Sequence, residues 1–310
     1  MVSNPLVMLS LVYYLIVLVG VLVRVSFYTL YERKILGSGH LRKGPNIVGL
    51  WGILQPFSDA IKLFNKEFIA PFKSNQLIYF IRPILILRIR LLAWTTLPYP
   101  GVIFNFPYLI LVFFMLTAGS VYLYLGSGWA SNSSYSVIGS LRCVAQRISY
   151  EVRIAFLFMV RIFLYSEIDL FNYRAHQSSV WLGFLLPPVA VVWFISSLAE
   201  TNRRPFDFAE GESELVSGFN LEYGSISFAL LFIAEYARII FISVITVTIF
   251  SGGLNQTLSM FLLVLFMIYL FVWVRISYPR TRYDKLIRLS WIVILPSSLL
   301  LLIFCVRVVL

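Results

Sequence analysis

Long apolar segments separated by shorter polar ones recur along the whole chain. Eight of them are of roughly the 20-residue length that a helix needs to cross a bilayer. The predicted spans are residues 8–30, 77–97, 104–125, 147–166, 179–198, 225–250, 257–276 and 289–309. Since a chain in lipid must satisfy its backbone hydrogen bonds within each span, such segments are helical. The pattern predicts an all-α fold, a polytopic transmembrane helix bundle in which residues 1–310 form a single membrane domain.

The charge of the connecting loops alternates between the two sides of the predicted bundle. Four loops carry almost all the loop lysines and arginines: residues 31–76, 126–146, 199–224 and 277–288. The opposite loops near residues 98–103 and 251–256 carry no charge. Because basic residues favour the inner side of a membrane, the four large loops are predicted to lie inside and both termini outside.

The first inner loop contains a predicted amphipathic helix. Pro56 suits the first turn of such a helix. Apolar side chains repeat on one face at helical spacing, namely Phe57, Ile61 and Phe64. Another face is polar, with Asp59, Lys62 and Lys66. A helix of this kind lies in the membrane interface, where it either anchors the loop or forms the lip of an entrance from the lipid.

The third inner loop gathers acids between two apolar spans. Six of the fourteen carboxylates of the chain lie in residues 199–223: Glu200, Asp207, Glu210, Glu212, Glu214 and Glu222. A solvated loop would explain the acids alone, but apolar and aromatic residues are threaded through them and only Arg203 and Arg204 balance them. Crowded carboxylates with few cations disfavour one another's ionisation, so the loop is predicted to hold or pass protons.

Two further acids fall inside predicted spans, Glu151 in the fourth and Glu235 in the sixth. An acid within a membrane helix is costly and by default marks a functional site, although each could instead pair with a buried arginine. Together with the acids of the third inner loop, Glu151 and Glu235 could form a polar path that runs laterally into the bundle.

Composition narrows the chemistry that the chain can perform. Of its 310 residues, 60% are hydrophobic and 13% are charged, which is typical of a membrane protein and not of a nucleic-acid-binding domain. Cys143 and Cys305 lie far apart, and His40 and His176 form no pair. No glycine-rich nucleotide-binding motif is present. The sequence therefore predicts no metal site and no redox cofactor held by this chain.

Three blocks of sequence point to a known family. They are residues 32–67, residues 199–223 (AETNRRPFDFAEGESELVSGFNLEY) and residues 278–284 (YPRTRYD). Shorter matches occur at residues 128–135, 149–151 and 234–236. With these motifs the chain resembles, essentially from end to end, the chain 1 family of NADH:ubiquinone oxidoreductase, respiratory complex I, in its mitochondrially encoded form.

The resemblance implies a subunit of a proton-pumping NADH:ubiquinone reductase with no catalytic residue or redox centre of its own. Iron–sulfur clusters and FMN would belong to partner subunits. Partners would be the quinone-module subunits of the peripheral arm, neighbouring membrane subunits and phospholipid. The expected location is the mitochondrial inner membrane, with the large loops on the matrix side.

The resemblance also assigns roles to residues. The acidic path would comprise Glu200, Asp207, Glu210, Glu212 and Glu214, continued into the bundle by Glu151 and Glu235. The wall or entrance of the membrane end of the ubiquinone tunnel would include Arg33, Trp51, Phe57, Asp59, Phe219 and Arg275. The pattern of residues supplies the acids and the amphipathic lip, whereas only the resemblance supplies the quinone.

Two other classes share some of these features. A stand-alone secondary proton or ion transporter would also place acids within the membrane, but it usually has internal repeats, and the halves of this chain show none. The related subunit of a membrane-bound hydrogenase would share the fold without binding quinone.

The arginine content is unusual for the family that the chain resembles. Nineteen arginines stand against six lysines. Ten arginines lie where the family usually has small or polar residues: Arg24, Arg82, Arg88, Arg90, Arg147, Arg153, Arg161, Arg204, Arg238 and Arg307. An arginine at a helix centre costs about 2.5–3.5 kcal/mol. Because some mitochondrial genetic codes read AGA and AGG as serine, we hypothesise that several of these positions are serine in the protein as made.

Overall fold

The computed structural model describes residues 4–97, 108–166, 168, 177, 180–208, 218–252 and 257–309. All the regular secondary structure in this part of the chain is helical. The helices are α1 Asn4–Gly39, α2 Gln55–Phe64, α3 Gln76–Ala93, α4 Leu109–Ser131, α5 Ser134–Tyr165, α6 Leu182–Leu185, α7 Pro187–Glu200, α8 Ser225–Ser251, α9 Thr257–Ser277, α10 Tyr283–Arg288 and α11 Leu295–Val309. A π-helical turn, Leu289–Ile294, joins α10 to α11.

Among the described residues, five stretches of helix are long and apolar enough to cross a membrane: Val12–Gly39, Leu109–Ser131, Ser225–Ser251, Leu258–Ser277 and Tyr283–Val308. The remaining three predicted spans coincide with α3, α5 and α7. Arginines interrupt the apolar sequence of α3 and α5, and α7 is only 14 residues long. The prediction of a helical membrane bundle is confirmed, while the count of eight spans remains a prediction.

Two helices run well beyond their predicted spans at the inner side. Helix α1 continues to Gly39, through the charged residues Glu32, Arg33 and Lys34. Helix α5 begins at Ser134, so much of the second predicted inner loop is helical. Apolar runs show where a helix can lie in lipid, but they do not set where the helix ends. The helix continues as long as its backbone hydrogen bonds do. Glutamate, arginine and lysine are good helix formers and do not interrupt it.

Helix α8 is the centre of the bundle. It packs against α1, α2, α3 and α9, and most of its side chains are buried. On one side, the Phe241 ring meets Trp94 edge-on, with centroids 5.7 Å apart, and lies 6.0 Å from the Phe113 ring of α4. Apart from Glu235 and Arg238 its sequence is uncharged and largely apolar, which suits the interior of a membrane bundle.

Helices α4 and α5 form a closely packed antiparallel pair. The turn between them has Asn132 in the left-handed region, with φ of 51°, which suits asparagine at a helix end. Small buried residues precede this turn, among them Gly128. A Cβ on Gly128 would come within 2.8 Å of the Ser136 carbonyl oxygen, so glycine is needed for this approach.

Several of the unusual arginines lie in the packed interior. Arg90, Arg147, Arg153 and Arg238 are each at most 4% exposed. The guanidinium of Arg153 lies 4.0 Å from the centroid of the Tyr150 ring, and none of its three nitrogens makes a hydrogen bond within the described residues. In Arg147, two nitrogens lack such a bond and the guanidinium lies 3.6 Å from the Tyr124 centroid. Each buried donor without a partner costs about 1–3 kcal/mol.

Serines in the same bundle show how a smaller side chain avoids that cost. The hydroxyls of Ser120, Ser149 and Ser243 donate to carbonyls of the preceding turn at 2.7, 2.7 and 2.6 Å. A serine satisfies its own donor anywhere along such a helix, whereas arginine needs several partners from outside it. This contrast supports the hypothesis that serine occupies several of the arginine positions.

The hypothesis predicts the peptide masses of the chain isolated from its own membranes. We expect peptides that read through Arg147, Arg153 and Arg238 with serine masses, because trypsin cleaves after arginine and not after serine. Cleavage after Arg142 and Arg275, which are not among the ten, serves as the internal control. Arginine masses with tryptic cleavage at Arg153 and Arg238 would contradict the hypothesis.

Candidate functional site

The acidic inner loop begins in the interior of the bundle. Glu200 is the last residue of α7 and is 4% exposed. Its carboxylate accepts a hydrogen bond from the guanidinium of Arg238 on α8, which is equally buried. Arg238 is among the ten arginines that we hypothesise to include serine positions. A serine at position 238 would leave the Glu200 charge without this cation.

The second acid, Glu151, is linked to α4. It is partly buried on α5, and the Thr117 hydroxyl donates to its Oε1 at 2.6 Å. Thr117 also borders a cavity of about 10 Å³, with Arg90, Glu200 and Arg238 among its other lining residues. A cavity of that size has room for about one water. Thr117 is thus hydrogen-bonded to Glu151 and shares a small cavity with Glu200.

The other members of the predicted acidic path are placed unequally. Glu235 lies partly buried on α8, with Arg147 of α5 as an electrostatic neighbour. Asp207 accepts a hydrogen bond from Arg280 at 3.2 Å. Glu210, Glu212 and Glu214 lie outside the described residues.

The last inner loop is docked onto the start of the acidic loop. In addition to the Arg280–Asp207 pair, the backbone N–H of Thr281 donates to the Pro205 carbonyl at 3.1 Å, and its hydroxyl lies 3.2 Å from the same oxygen. A basic loop of this kind suits anionic lipid headgroups or a neighbouring subunit. Part of its charge is instead used within the chain.

The inner end of α1 carries a buried charge cluster. Glu32 is 3% exposed, and its Oε1 accepts from Arg203 Nη1 at 3.0 Å and from the Arg275 guanidinium. Arg203 also lies 4.5 Å from the Tyr236 ring centroid. Although burial alone would lower it, the pKa of the Arg203 guanidinium is raised by the neighbouring Glu32 carboxylate, so Arg203 stays charged.

The next residue, Arg33, points to a different partner. Arg33 Nη1 lies 2.6 Å from Asp59 Oδ2 of α2, and Gln55 donates to the other oxygen of Asp59 at 2.8 Å. The Arg33 and Asp59 side chains are 52% and 37% exposed. Consecutive residues of α1 therefore hold α2 on one side and the acidic loop on the other.

Apolar residues of the first inner loop face outward beside this pair. Phe57 is 47% exposed and meets Phe27 of α1 edge-on at 6.1 Å. Trp51 is 78% exposed, and its carbonyl accepts from Lys34 at 2.7 Å. The predicted amphipathic helix is present as α2, and its position in a membrane interface remains a prediction.

The six predicted tunnel residues do not form one group. Arg33, Trp51, Phe57 and Asp59 lie together at α2, whereas Arg275 belongs to the Glu32 cluster. Phe219 is fully buried against the Tyr124 ring, 5.3 Å away, in the interior between α4 and α5. Whether these residues line a tunnel remains a prediction.

The sequence did not reveal three residues of the candidate site: Glu32, Thr117 and Gln146. Glu32 was visible as an acid at the end of the first span, but its partners lie 171 and 243 residues away along the chain. Thr117 and Gln146 are uncharged residues within long helices and give no local signal. Their roles emerge only from what they touch.

Comparison with known proteins assigns this helical membrane bundle to a family. The family model described as NADH dehydrogenase matches residues 12–306, and the chain belongs to this family. Its relatives include NADH-ubiquinone oxidoreductase chain 1 of Aedes aegypti, 47% identical over 97% of this chain and 96% of that protein. The same protein of Anopheles gambiae is 48% identical over 94% and 93%, and that of Emballonura alecto is 48% identical over 94% of each chain. The family resemblance seen in the sequence blocks is confirmed.

The two ion pairs of α1 should differ sharply in their contribution to stability. Glu32→Gln leaves two guanidiniums without their buried carboxylate, which costs about 3–5 kcal/mol. Asp59→Asn removes one exposed pair, which costs about 0–1 kcal/mol. We expect a large fall in the thermal unfolding midpoint of the purified membrane complex for Glu32→Gln and almost none for Asp59→Asn.

A double variant checks the cause of that difference. Glu32→Gln combined with Arg203→Gln should recover part of the loss, because the variant no longer buries one of the unpaired cations. Strictly additive losses, or equal effects of Glu32→Gln and Asp59→Asn, would show that the buried cluster does not stabilise the inner end of the bundle.

Proposed function

We propose that this chain is the membrane subunit of a proton-pumping NADH:ubiquinone oxidoreductase that forms the membrane end of the ubiquinone tunnel and the start of the acidic path. The observation that carries the proposal is a series of ion pairs. They are Arg33–Asp59 between α1 and α2, Glu32–Arg203 between α1 and the acidic loop, and Glu200–Arg238 between α7 and α8. Successive pairs are neighbours along the chain, since Arg33 follows Glu32 and Glu200 precedes Arg203 by three residues. Thr117 and Glu151 continue the series into the bundle.

The surface around α2 suits a ubiquinone. Its long tail is apolar and its headgroup is polar, so an entrance needs an apolar surface beside hydrogen-bonding groups. Phe57 and Trp51 supply exposed aromatic surface, and the Arg33–Asp59 pair supplies charge next to it. The names of the relatives support ubiquinone as the substrate of the assembly.

The second half of the proposal concerns protons. A hydroxyl can accept one hydrogen bond and donate another, so Thr117 can relay a proton between a water in the adjoining cavity and Glu151. In the proposed path the loop acids, including Asp207, Glu210, Glu212 and Glu214, deliver protons toward Glu200. Glu235 forms a second branch on α8. An arginine at position 238 would neutralise the Glu200 charge and damp this path, whereas serine would leave it open.

Electron transfer itself belongs to partner subunits in this proposal. Among the described residues there is no group of three or more histidine, cysteine, aspartate or glutamate side chains that could hold a metal ion. Iron–sulfur clusters and FMN would be held by the peripheral arm, which docks on the inner loops at the matrix side of the mitochondrial inner membrane. The relatives' shared name weighs against a stand-alone transporter and against a hydrogenase subunit.

The tunnel proposal is tested by photolabelling native membranes with a photoreactive ubiquinone analogue and mapping the labelled peptides. We expect label in residues 31–67 or 199–223, and we expect excess ubiquinone to compete it away. Label confined to neighbouring subunits would remove the quinone from this chain and leave it a proton-path or scaffold role.

The proton path is tested at Thr117, because its hydroxyl can be removed without changing the shape of the side chain. Thr117→Val should slow NADH:ubiquinone reduction and proton pumping together, on the order of 100-fold, the lower end of what a positioned proton donor contributes. Thr117→Ser keeps the hydroxyl and should slow both much less. Electron transfer from NADH to an artificial acceptor that bypasses ubiquinone should not change. Equal rates for the valine and serine variants would exclude Thr117 from the path.

A further inference from the structure

We propose that Gln146 is a positioning residue that fixes the first turn of the acidic loop relative to Glu151. Gln146 lies on α5 and is fully buried. Its amide nitrogen donates to two backbone carbonyls, that of Ala199 at 2.7 Å and that of Phe206 at 2.9 Å. The structural part of this inference stands on these contacts, and its functional part rests on the acidic path proposed above.

The two carbonyls lie at the two ends of one turn. Ala199 is in the last turn of α7, and its carbonyl also accepts a hydrogen bond from the Asn202 N–H at 3.3 Å. Phe206 follows after the chain has reversed, with its N–H donating to the Arg203 carbonyl at 2.8 Å. The side-chain amide of Gln146 therefore binds both ends of the segment 199–206. This segment contains Glu200 and Arg203, and Asp207 is the residue that follows it.

Few other side chains could make this clamp. A side-chain amide carries two N–H donors on one nitrogen, and both are used here. Methionine has similar length but no donor. A carboxylate has no donor when ionised, and its charge would repel both carbonyl oxygens.

The same helix also holds the far end of the loop. The Ser136 hydroxyl lies 3.3 Å from the Phe219 carbonyl oxygen. A Cβ on Gly139 would come within 2.9 Å of the Phe219 backbone nitrogen, so the returning chain lies directly on α5. Glu151 follows Gln146 by five residues, about 7.5 Å along the helix axis. Both ends of the acidic loop and Glu151 are thus fixed to one rigid element.

A further contact strengthens the clamp on the first turn. The side-chain amide of Asn202 donates to the Cys143 sulfur at 3.3 Å, one turn before Gln146 on α5. A change of charge on the loop acids would therefore act on α5 through Gln146 and Asn202. Gln146 transmits position in this scheme and does not itself carry a proton.

The test compares Gln146→Met with a matched control in the intact membrane complex. Gln177 is also buried, and its amide nitrogen donates to the Ile249 carbonyl at 2.9 Å, away from the acidic loop. We expect Gln146→Met to accelerate hydrogen exchange of the amides in residues 199–208 and to slow ubiquinone reduction several-fold. Gln177→Met should leave exchange in residues 199–208 unchanged. Unchanged exchange in Gln146→Met would overturn the positioning role.

A second variant gives a readout that simple loss of packing would not produce. In Gln146→Glu, a protonated carboxylic acid restores one donor to the carbonyls, while the ionised form restores none. We expect its activity and its loop protection to recover as the pH falls, relative to the wild-type complex measured in parallel. The absence of that recovery would contradict the clamp, also where Gln146→Met fails to assemble.

The two measurements separate this inference from the proposed proton path. Faster loop exchange with normal rates and normal protons pumped per electron would confirm that Gln146 positions the loop, while showing that the loop is not the coupling element. Faster hydrogen exchange in residues 199–208 together with a loss of proton pumping would support both the positioning role of Gln146 and the proposed proton path.

Discussion

The inner end of the bundle depends on the pairing of charge where water is scarce. Glu32 is buried and meets two guanidiniums, one from the acidic loop and one from α9. Removing the carboxylate would leave two partly buried cations unpaired, and removing one cation would change the balance around a carboxylate that remains buried. Three segments that are remote in sequence must therefore meet correctly before any of these charges is satisfied. This constraint fixes the start of the acidic loop, because Arg203 is part of it.

The fold follows from the sequence to a large extent because lipid imposes a simple rule. Apolar runs of membrane length must be helices, and the helices at residues 109–131, 225–251 and 257–277 lie close to the predicted spans. The spacing of Phe57, Ile61 and Phe64 gave α2 for a different reason, since it repeats with the helical period. The helix ends were less accessible. The inner parts of α1 and α5 are too polar to be recognised as spans, yet they continue the same backbone hydrogen-bonding pattern.

The candidate site was predictable where chemistry is local and unpredictable where it depends on distant partners. Glu151 stood out because an acid is costly within an apolar helix, and Glu200 because it belongs to a cluster of acids. Their partners did not: Arg238 is 38 residues from Glu200, and Thr117 is 34 residues from Glu151. Gln146 had no signal at all, because an amide becomes important only when two carbonyls converge on it. The arginines are the opposite case, since their misfit with an apolar interior was visible in the sequence and is visible again in their buried donors.

Neighbouring residues on a helix point about 100° apart, and at Glu32 and Arg33 each of the two directions holds an ion pair. Helix α1 can tilt or slide slightly without losing both pairs, but it cannot turn about its own axis without straining both. Because the Glu32 carboxylate is buried whereas the Arg33–Asp59 pair is exposed, the rotation of α1 about its axis is fixed mainly at Glu32. Two neighbouring residues thus set the orientation of one helix with very different strength.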